Sequence, residues 1–527
     1  MRRLVYSLLL FAFLLGVYHA NGDFLPGNDA KPNVYLAESV LREGNLAFTP
    51  REMPFMFLWT LHTPAGAATT RINAWTDVIG ERTADDLLAA GQLSVEREHY
   101  YLVPSVRPNE YVGAFGPGAG LCALPVFAAI DLVSNSTHSS PAQIWYGGKL
   151  AASLCVAGSA LLVFHTALLM TTVRRALVIA LAYGLGTCVW SMSSQQLYQH
   201  GPMELFLALG TFFIVRGGLV STSRRDFAFS GLAYATAALC RPTGVLVVAA
   251  IAAYLALSNR RALAAFATGA LPGAAALCAY NAYFLGSPFA FSQGAAGDAL
   301  AIAKTGAPGV WQTPLWLGAA GMLASPSRGL FVFSPFLLAA FAGVRAAWRS
   351  DRFAALRPLS LATLAVWLVE FKHFDWWSGW SFGYRHIVDT CVLLAPLLVP
   401  ALDAILRRRA LTAIFALLLA WSVGVQFIGA FAYDLWGWNN AIAGYELALP
   451  GSGETIVAAS RDEANALMRT RGATIVREIR QNIDMPENHH RLWSIADSQI
   501  VFYARRFAES RAFKHEFMRQ WLENPAL

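Results

Sequence analysis

The chain has 527 residues, 56% of them hydrophobic and only 14% charged, with a mean hydropathy of +0.44. A soluble domain carries about a quarter charged residues, so this balance excludes an ordinary soluble fold and implies an all-α polytopic membrane protein. The net charge of +7 does not point to nucleic acid, because the basic residues sit in short clusters between apolar runs, as residues that set membrane orientation do.

The N-terminus, Met1-Arg2-Arg3 followed by apolar Leu4 to Val17, has the form of a signal segment. Tyr18 occupies the place where cleavage before Asn21 would need a small residue, so the segment reads as an uncleaved anchor and first span. Arg2 and Arg3 hold its start in the cytoplasm. A long polar loop, residues 21–149, then opens on the other side of the membrane.

Within this loop, Gly22 to Leu46 carries Asp23 and Asp29 in a Pro-, Gly- and Asn-rich turn. From Val34 to Leu46 the apolar residues recur at helical spacing with Glu38, Arg42 and Glu43 between them, which predicts a short amphipathic helix ending at Gly44. Such a helix suits a membrane surface. Met53 to Leu61 and Tyr111 to Val133 are also apolar. Reading the second as a crossing would leave Arg174 and Arg175 on the wrong face, so it is expected to dip or lie at the interface.

With that choice the later spans alternate over residues 150–172, 176–192, 202–217, 227–240, 243–258, 262–284, 329–345, 357–370, 387–404 and 411–432. About eleven spans result, each needing about 20 residues to cross roughly 30 Å. The turns at 174–175, 224–225, 259–261, 345–357 and 407–409 are then all cytoplasmic. The outer face collects residues 22–149, Ser193 to Pro202, the Arg241-Pro242 break, Asn281 to Arg328 and Glu370 to His386. After Ala432 the apolar character ends, and residues 433–527 read as a small extracytoplasmic region with helical stretches at Arg461 to Arg471 and Phe502 to Trp521.

All six cysteines lie in apolar segments without CxxC spacing, which argues against a disulfide framework and structural zinc. No HExxH, GxSxG or phosphate-binding loop is present. The densest local pattern is Trp376-Trp377-Ser378-Gly379-Trp380-Ser381-Phe382-Gly383-Tyr384-Arg385-His386, preceded by Lys372, His373 and Asp375. An aromatic belt accounts for the tryptophans. It does not account for the glycines, which permit close backbone approach, nor for Arg385 and His386, which suit a phosphate.

His200 lies beside Gly201 and Pro202 in an outer turn. Arg241 stands where one apolar run stops and another starts, and an ionisable residue at membrane depth is a functional candidate. Arg328 adds a cation at another outer span end. Asp23 and Asp29 are the candidate general bases, each also an ordinary turn residue.

Taken together these residues resemble the GT-C class of membrane glycosyltransferases, in particular the bacterial relatives of protein O-mannosyltransferases and aminoarabinose transferases. The likeness covers most of residues 1–432, the expected transmembrane domain. Asp29-Ala30-Lys31-Pro32-Asn33-Val34-Tyr35 and Arg42-Glu43-Gly44-Asn45-Leu46 match the first-loop pattern of that class. Phe115 to Phe127, Gln199 to Pro202, Arg241 to Thr243, Pro326 to Gly329 and Trp376 to Arg385 match later elements in order.

The resemblance implies transfer of a sugar, with inversion, from a polyprenyl-phosphate donor at the extracytoplasmic face of the plasma (inner) membrane, to a hydroxyl of a lipid, polysaccharide or protein. Asp29 becomes the base, since it alone keeps the spacing to Pro32 and Tyr35. Arg385, His386, Lys372, Arg241 and Arg328 become donor-phosphate ligands, while Tyr35, His200, Trp376, Trp377, Trp380 and Tyr384 become substrate contacts. Near Asp23 and Asp29, which are six apart, the first loop lacks the acidic doublet of the best-known members, Asp85-Asp86 lying much later in a more polar stretch, which leaves a divalent metal an open expectation. A polytopic transporter or lipid flippase is the competing reading, and a non-catalytic lipid-binding scaffold a third.

Overall fold

The computed structural model describes residues 2–64, 66–70, 84–97, 101–134, 140–221, 223–451 and 453–523. Helices dominate. Among the described residues, six are long and apolar enough to cross a membrane: Pro141–Leu168, His200–Val220, Arg260–Leu285, Asp351–Glu370, Arg385–Ile405 and Arg409–Ala432. Four shorter apolar helices, Arg3–His19, Gly118–Ser134, Gly244–Ser258 and Leu315–Ala324, accompany them.

Several expected spans are shorter or broken for local reasons. The segment at 176–192 forms the helix Val173–Gly186 and then a π turn over Val189–Ser193. The segment at 329–345 divides into Leu330–Phe333, a 3-10 turn over Pro335–Leu338 and the helix Ala339–Arg349, because Pro335 has no amide hydrogen to continue the helical ladder. At Arg241 the chain becomes extended between the helices Arg224–Cys240 and Gly244–Ser258.

The first loop is built into the bundle rather than laid on a surface. Its helix Lys31–Glu43 starts with Pro32 in the first turn and stops where Gly44 takes a φ of 65°, a conformation glycine adopts without steric cost. The first nine residues of this helix, Lys31 to Ser39, are all buried. Its polar groups find partners there: Asn33 Nδ2 donates to Leu197 O at 3.0 Å, and Arg42 pairs with Glu38 and, at 3.0 Å, with Asp131. The helix Gly118–Ser134 packs across it. A Cβ on Gly120 would lie 2.8 Å from Leu36 Cβ and 2.9 Å from Asn33 O, so a side chain there would push the two helices apart.

The all-α expectation fails outside the bundle. Strands Gly66–Thr70, Phe57–Thr63 and Leu93–Arg97 form an antiparallel sheet with Phe57–Thr63 in the centre, and Leu102–Pro104 pairs with Tyr111–Gly113. Phe57–Thr63 begins by alternating buried Phe57 and Trp59 with half-buried Leu58 and Thr60, a pattern that suits a strand covered on one face. The C-terminal region holds a second three-stranded sheet, with Asn440–Ala448 between Thr455–Ala458 and Thr474–Asn482. The helix Arg461–Arg471 covers it over a small separate core of Tyr445, Leu447, Ala458, Ala464 and Ala473. The last helices, Gln499–Arg505 and Phe507–Glu523, instead join the main core through Tyr503, Met518 and Trp521.

Candidate functional site

Asp29 sits in the one-turn 3-10 segment Asn28–Ala30, just before the buried helix of the first loop. Asp23, six residues earlier, is fully buried. His515 Nδ1 lies 2.7 Å from Asp23 Oδ1 and Lys514 Nζ 3.8 Å from Oδ2, while Lys149 donates to the Asp23 carbonyl and to Asn21 Oδ1. Lys514 also donates to Ala430 O at 3.0 Å. Burial draws the Lys514 ammonium down to about 8, against the opposing pull of Asp23 and Asp434. Asp23 thus ties the start of the first loop to the C-terminal helix, whereas Asp29 lines two cavities.

The Trp-rich segment is a compact loop with left-handed turns at Ser378, Gly379 and Gly383, whose φ values are 65°, 55° and 73°. Arg328 pins it from inside. Its guanidinium donates to Ser381 O at 2.5 Å, Gly379 O at 3.0 Å and Asn439 Oδ1 at 3.0 Å, and lies over the Trp438 ring. Tyr384 is buried with its hydroxyl 2.6 Å from Ser334 Oγ. At the loop's end the chain enters the 3-10 turn Arg385–Thr390, and Arg385 Nη1 donates to Asp29 Oδ2 at 2.8 Å.

Two cavities meet at this pair. The first, of about 300 Å³, is lined by Asp29, Tyr198, Arg385, Arg241, Glu370 and the imidazoles of His200, His373 and His386. It lies where the helices beginning at His200 and Gly244 and those ending at Cys240 and Glu370 come together. The second, of about 360 Å³, shares Asp29, Tyr198 and Arg385 and adds Lys304, Asp484 and an aromatic wall including Trp380, Trp436 and Trp521. Helix ends enclose one chamber; loops, the helix Ser292–Thr305 and the C-terminal helix enclose the other.

The first chamber is charge-balanced by a buried network. Arg241 donates to Glu370 Oε1 at 2.8 Å, to Asp389 Oδ2 at 2.5 Å and to His386 O at 2.9 Å. His200 Nδ1 lies 3.0 Å from Asp389 Oδ1, and the His373 and His386 rings are 4.4 Å apart. Removing such a charge from water is costly unless it is paired, which is why Arg241 carries two carboxylate partners. Burial, with Arg241, Lys304 and Arg385 nearby, pushes the His373 imidazole down to about 3. The Asp375 amide donates to His373 Nδ1 at 3.2 Å, so the neutral ring carries its proton on Nε2.

In the second chamber Lys304 bridges Asp375 Oδ2 at 3.1 Å and Asp484 Oδ1 at 2.8 Å. Burial alone would lower its pKa, but the two carboxylates outweigh that and raise it. Trp377 Nε1 donates to the same Asp484 oxygen at 3.1 Å.

Of the residues expected from sequence, Asp29, His200, Arg241, Arg385 and His386 line the first chamber and Trp380 the second. Six others line neither. Lys372 is exposed. Arg328 is occupied by loop carbonyls, and Tyr384 by Ser334 and the Cys188 amide. Trp376 packs on Trp493, Trp377 on His489, and Tyr35 on Phe55 and Trp145. Glu370, Asp389, Lys304 and Asp484 were missed. Glu370 and Asp389 each stand in or at the end of an apolar run, the same signal that singled out Arg241. Lys304 stands in the last turn of the helix Ser292–Thr305 and Asp484 lies in a turn, and neither carries such a mark.

Among the described residues no group of three or more His, Cys, Asp and Glu side chains is placed to hold a metal ion.

No family model and no curated protein matches this sequence. A solved structure does resemble it. That structure is the crystal structure of ArnT from Cupriavidus metallidurans bound to undecaprenyl phosphate, similar over 99% of this chain and 76% of that one, at 12% sequence identity and a TM-score of 0.46.

Proposed function

We propose that the chain is a membrane glycosyltransferase that moves a sugar, with inversion, from a polyprenyl-phosphate donor to an acceptor hydroxyl at the extracytoplasmic face. The observation that carries this reading is the position of Asp29: its carboxylate stands in the wall common to both chambers and is paired with Arg385, which also lines both. An inverting transfer needs a base on one side of the anomeric carbon and a leaving group on the other. Adjoining chambers that meet at a carboxylate and a guanidinium support this reading.

The donor belongs in the first chamber, where the ends of apolar helices let a lipid reach from the membrane to a polar headgroup. The acceptor belongs in the second. Asp29 takes the acceptor proton as the acceptor oxygen bonds to the anomeric carbon and the bond from that carbon to phosphate oxygen breaks. The charge left on phosphate falls to Arg385, a forked donor suited to phosphate oxygens. Neutral His373 adds an N–H donor at Nε2 without a cation's desolvation cost. Arg241 has its charge balanced by Glu370 and Asp389 and serves as the frame of the chamber. In this reading residues 1–432 form the catalytic membrane domain and residues 433–527 a region on the same outer side.

Mass spectrometry of lipid-linked sugars in a deletion strain tests the reading. Polyprenyl-phosphate sugars should accumulate, and reintroducing the wild-type protein should clear them. An unchanged lipid-linked sugar profile would contradict it.

A further inference from the structure

The second chamber has a composition that neither the base nor the leaving group requires. Four aromatic side chains run along it in contact: Trp380 and Trp436 with ring centroids 4.9 Å apart, Trp436 and Phe517 at 6.2 Å, Phe517 and Trp521 at 5.9 Å. They join the Trp-rich loop to the C-terminal helix. The indole N–H groups of Trp380 and Trp521 have no hydrogen-bond partner, although Trp521 is only 5% exposed. A buried donor left unpaired is costly. The same chamber is lined by the carboxylates of Asp29, Asp375 and Asp484 and by the cations Lys304 and Arg385.

We propose that this chamber is a saccharide-binding subsite, so that the acceptor hydroxyl belongs to a sugar ring; this rests on the transfer reaction proposed for Asp29. A pyranose presents a face of C–H groups, whose slight positive charge suits the negative face of an aromatic ring, and a rim of hydroxyls that both donate to carboxylates and accept from N–H groups. The chamber offers both surfaces side by side. Other occupants fit it less well. Three carboxylates against two cations disfavour an anion, and five charged side chains disfavour a lipid tail. An extended peptide would pair its backbone with a strand edge, and none of the lining residues belongs to a strand.

The test is saturation-transfer NMR on the full-length protein in lipid nanodiscs, without any donor, using methyl α-glucoside, methyl α-mannoside and methyl α-galactoside, with a Ser/Thr-containing peptide as the contrasting probe. Ring C–H signals of at least one glycoside should receive saturation. The effect should disappear in Trp436→Ala and persist in Trp436→Phe, which keeps an aromatic face at this 39% exposed position. The proposal fails if no glycoside responds, if Trp436→Ala responds like the wild type, or if the peptide alone responds. Glycoside binding by a protein that transfers no sugar would sink the transferase reading and leave the subsite standing. Sugar transfer to a peptide without any glycoside binding would do the reverse.

Discussion

Arg385 Nη1 and Asp29 Oδ2 lie 2.8 Å apart although 356 residues separate them in sequence. The pair joins the first loop to the end of the Trp-rich loop, and both side chains remain partly open, at 18% and 16% exposure. An ion pair kept at a cavity wall fixes the orientation of the carboxylate, as a base requires. Arg385→Met should reduce sugar transfer by about 10²- to 10³-fold, the size of effect seen when a positioned donor to a developing oxyanion is removed. Arg385→Lys should recover only part, because an ammonium lacks the planar fork. Steady-state transfer assays on purified variants decide this; a Met variant within a few-fold of wild type would remove Arg385 from the chemistry.

Arg241 gives a different expectation. Its partners Glu370 and Asp389 are buried, so Arg241→Met would leave two buried carboxylates without their guanidinium and should cost about 3–5 kcal/mol of stability. Adding Glu370→Gln should recover part of that loss, because the two sites share one network. Thermal unfolding in detergent measures both. Unchanged stability in Arg241→Met, with activity lost, would restore the phosphate-ligand role.

Asp23 is placed to hold the C-terminal helix against the first loop through His515 and Lys514. Asp23→Asn should loosen that helix, and hydrogen exchange should quicken over residues 507–523 while the helix Pro141–Leu168 stays protected. Equal exchange in the two proteins would mean that the apolar contacts of Met518 and Trp521 hold the helix unaided.

Much of this arrangement was legible in the sequence, and the exceptions have physical reasons. The helix Lys31–Glu43 announced itself by periodicity and by Gly44, and the break at Arg241-Pro242 by a charge and an imide between apolar runs. The helix Arg461–Arg471 was likewise visible. What periodicity cannot show is which side of a residue another segment covers. Arg328 and Tyr384 look like site residues in a motif, but the fold turns them toward loop carbonyls and Ser334. The short strands were hidden because Phe57–Thr63 is apolar enough to pass for a membrane-facing stretch. Lys304 and Asp484 meet only through the fold, 180 residues apart.

Asp434 gives a pH-dependent test. Burial, only partly offset by hydrogen bonds from the Gly437 amide and Tyr503, raises its carboxyl to about 6. The folded protein therefore holds this proton over a range in which an unfolded chain, with an ordinary carboxyl near 4, has released it. The stability it contributes is full below about pH 4 and is lost as the pH rises through about 6. Asp434→Asn should gain on the wild type from pH 4 to 7, by at most about 3 kcal/mol, read as a growing difference in Tm. A pH-independent difference would contradict this assignment.

Asp29 carries the proposed chemistry. Reconstituted into liposomes with a radiolabelled polyprenyl-phosphate sugar and an acceptor fraction from the cell envelope, the wild-type protein should transfer label with inverted anomeric configuration. Asp29→Asn, inserted and folded to the same level, should transfer it about 10²- to 10⁴-fold more slowly, the range expected for loss of a general base. Transfer by Asp29→Asn at the wild-type rate, or movement of the labelled lipid across the bilayer with no transfer by either protein, would contradict it.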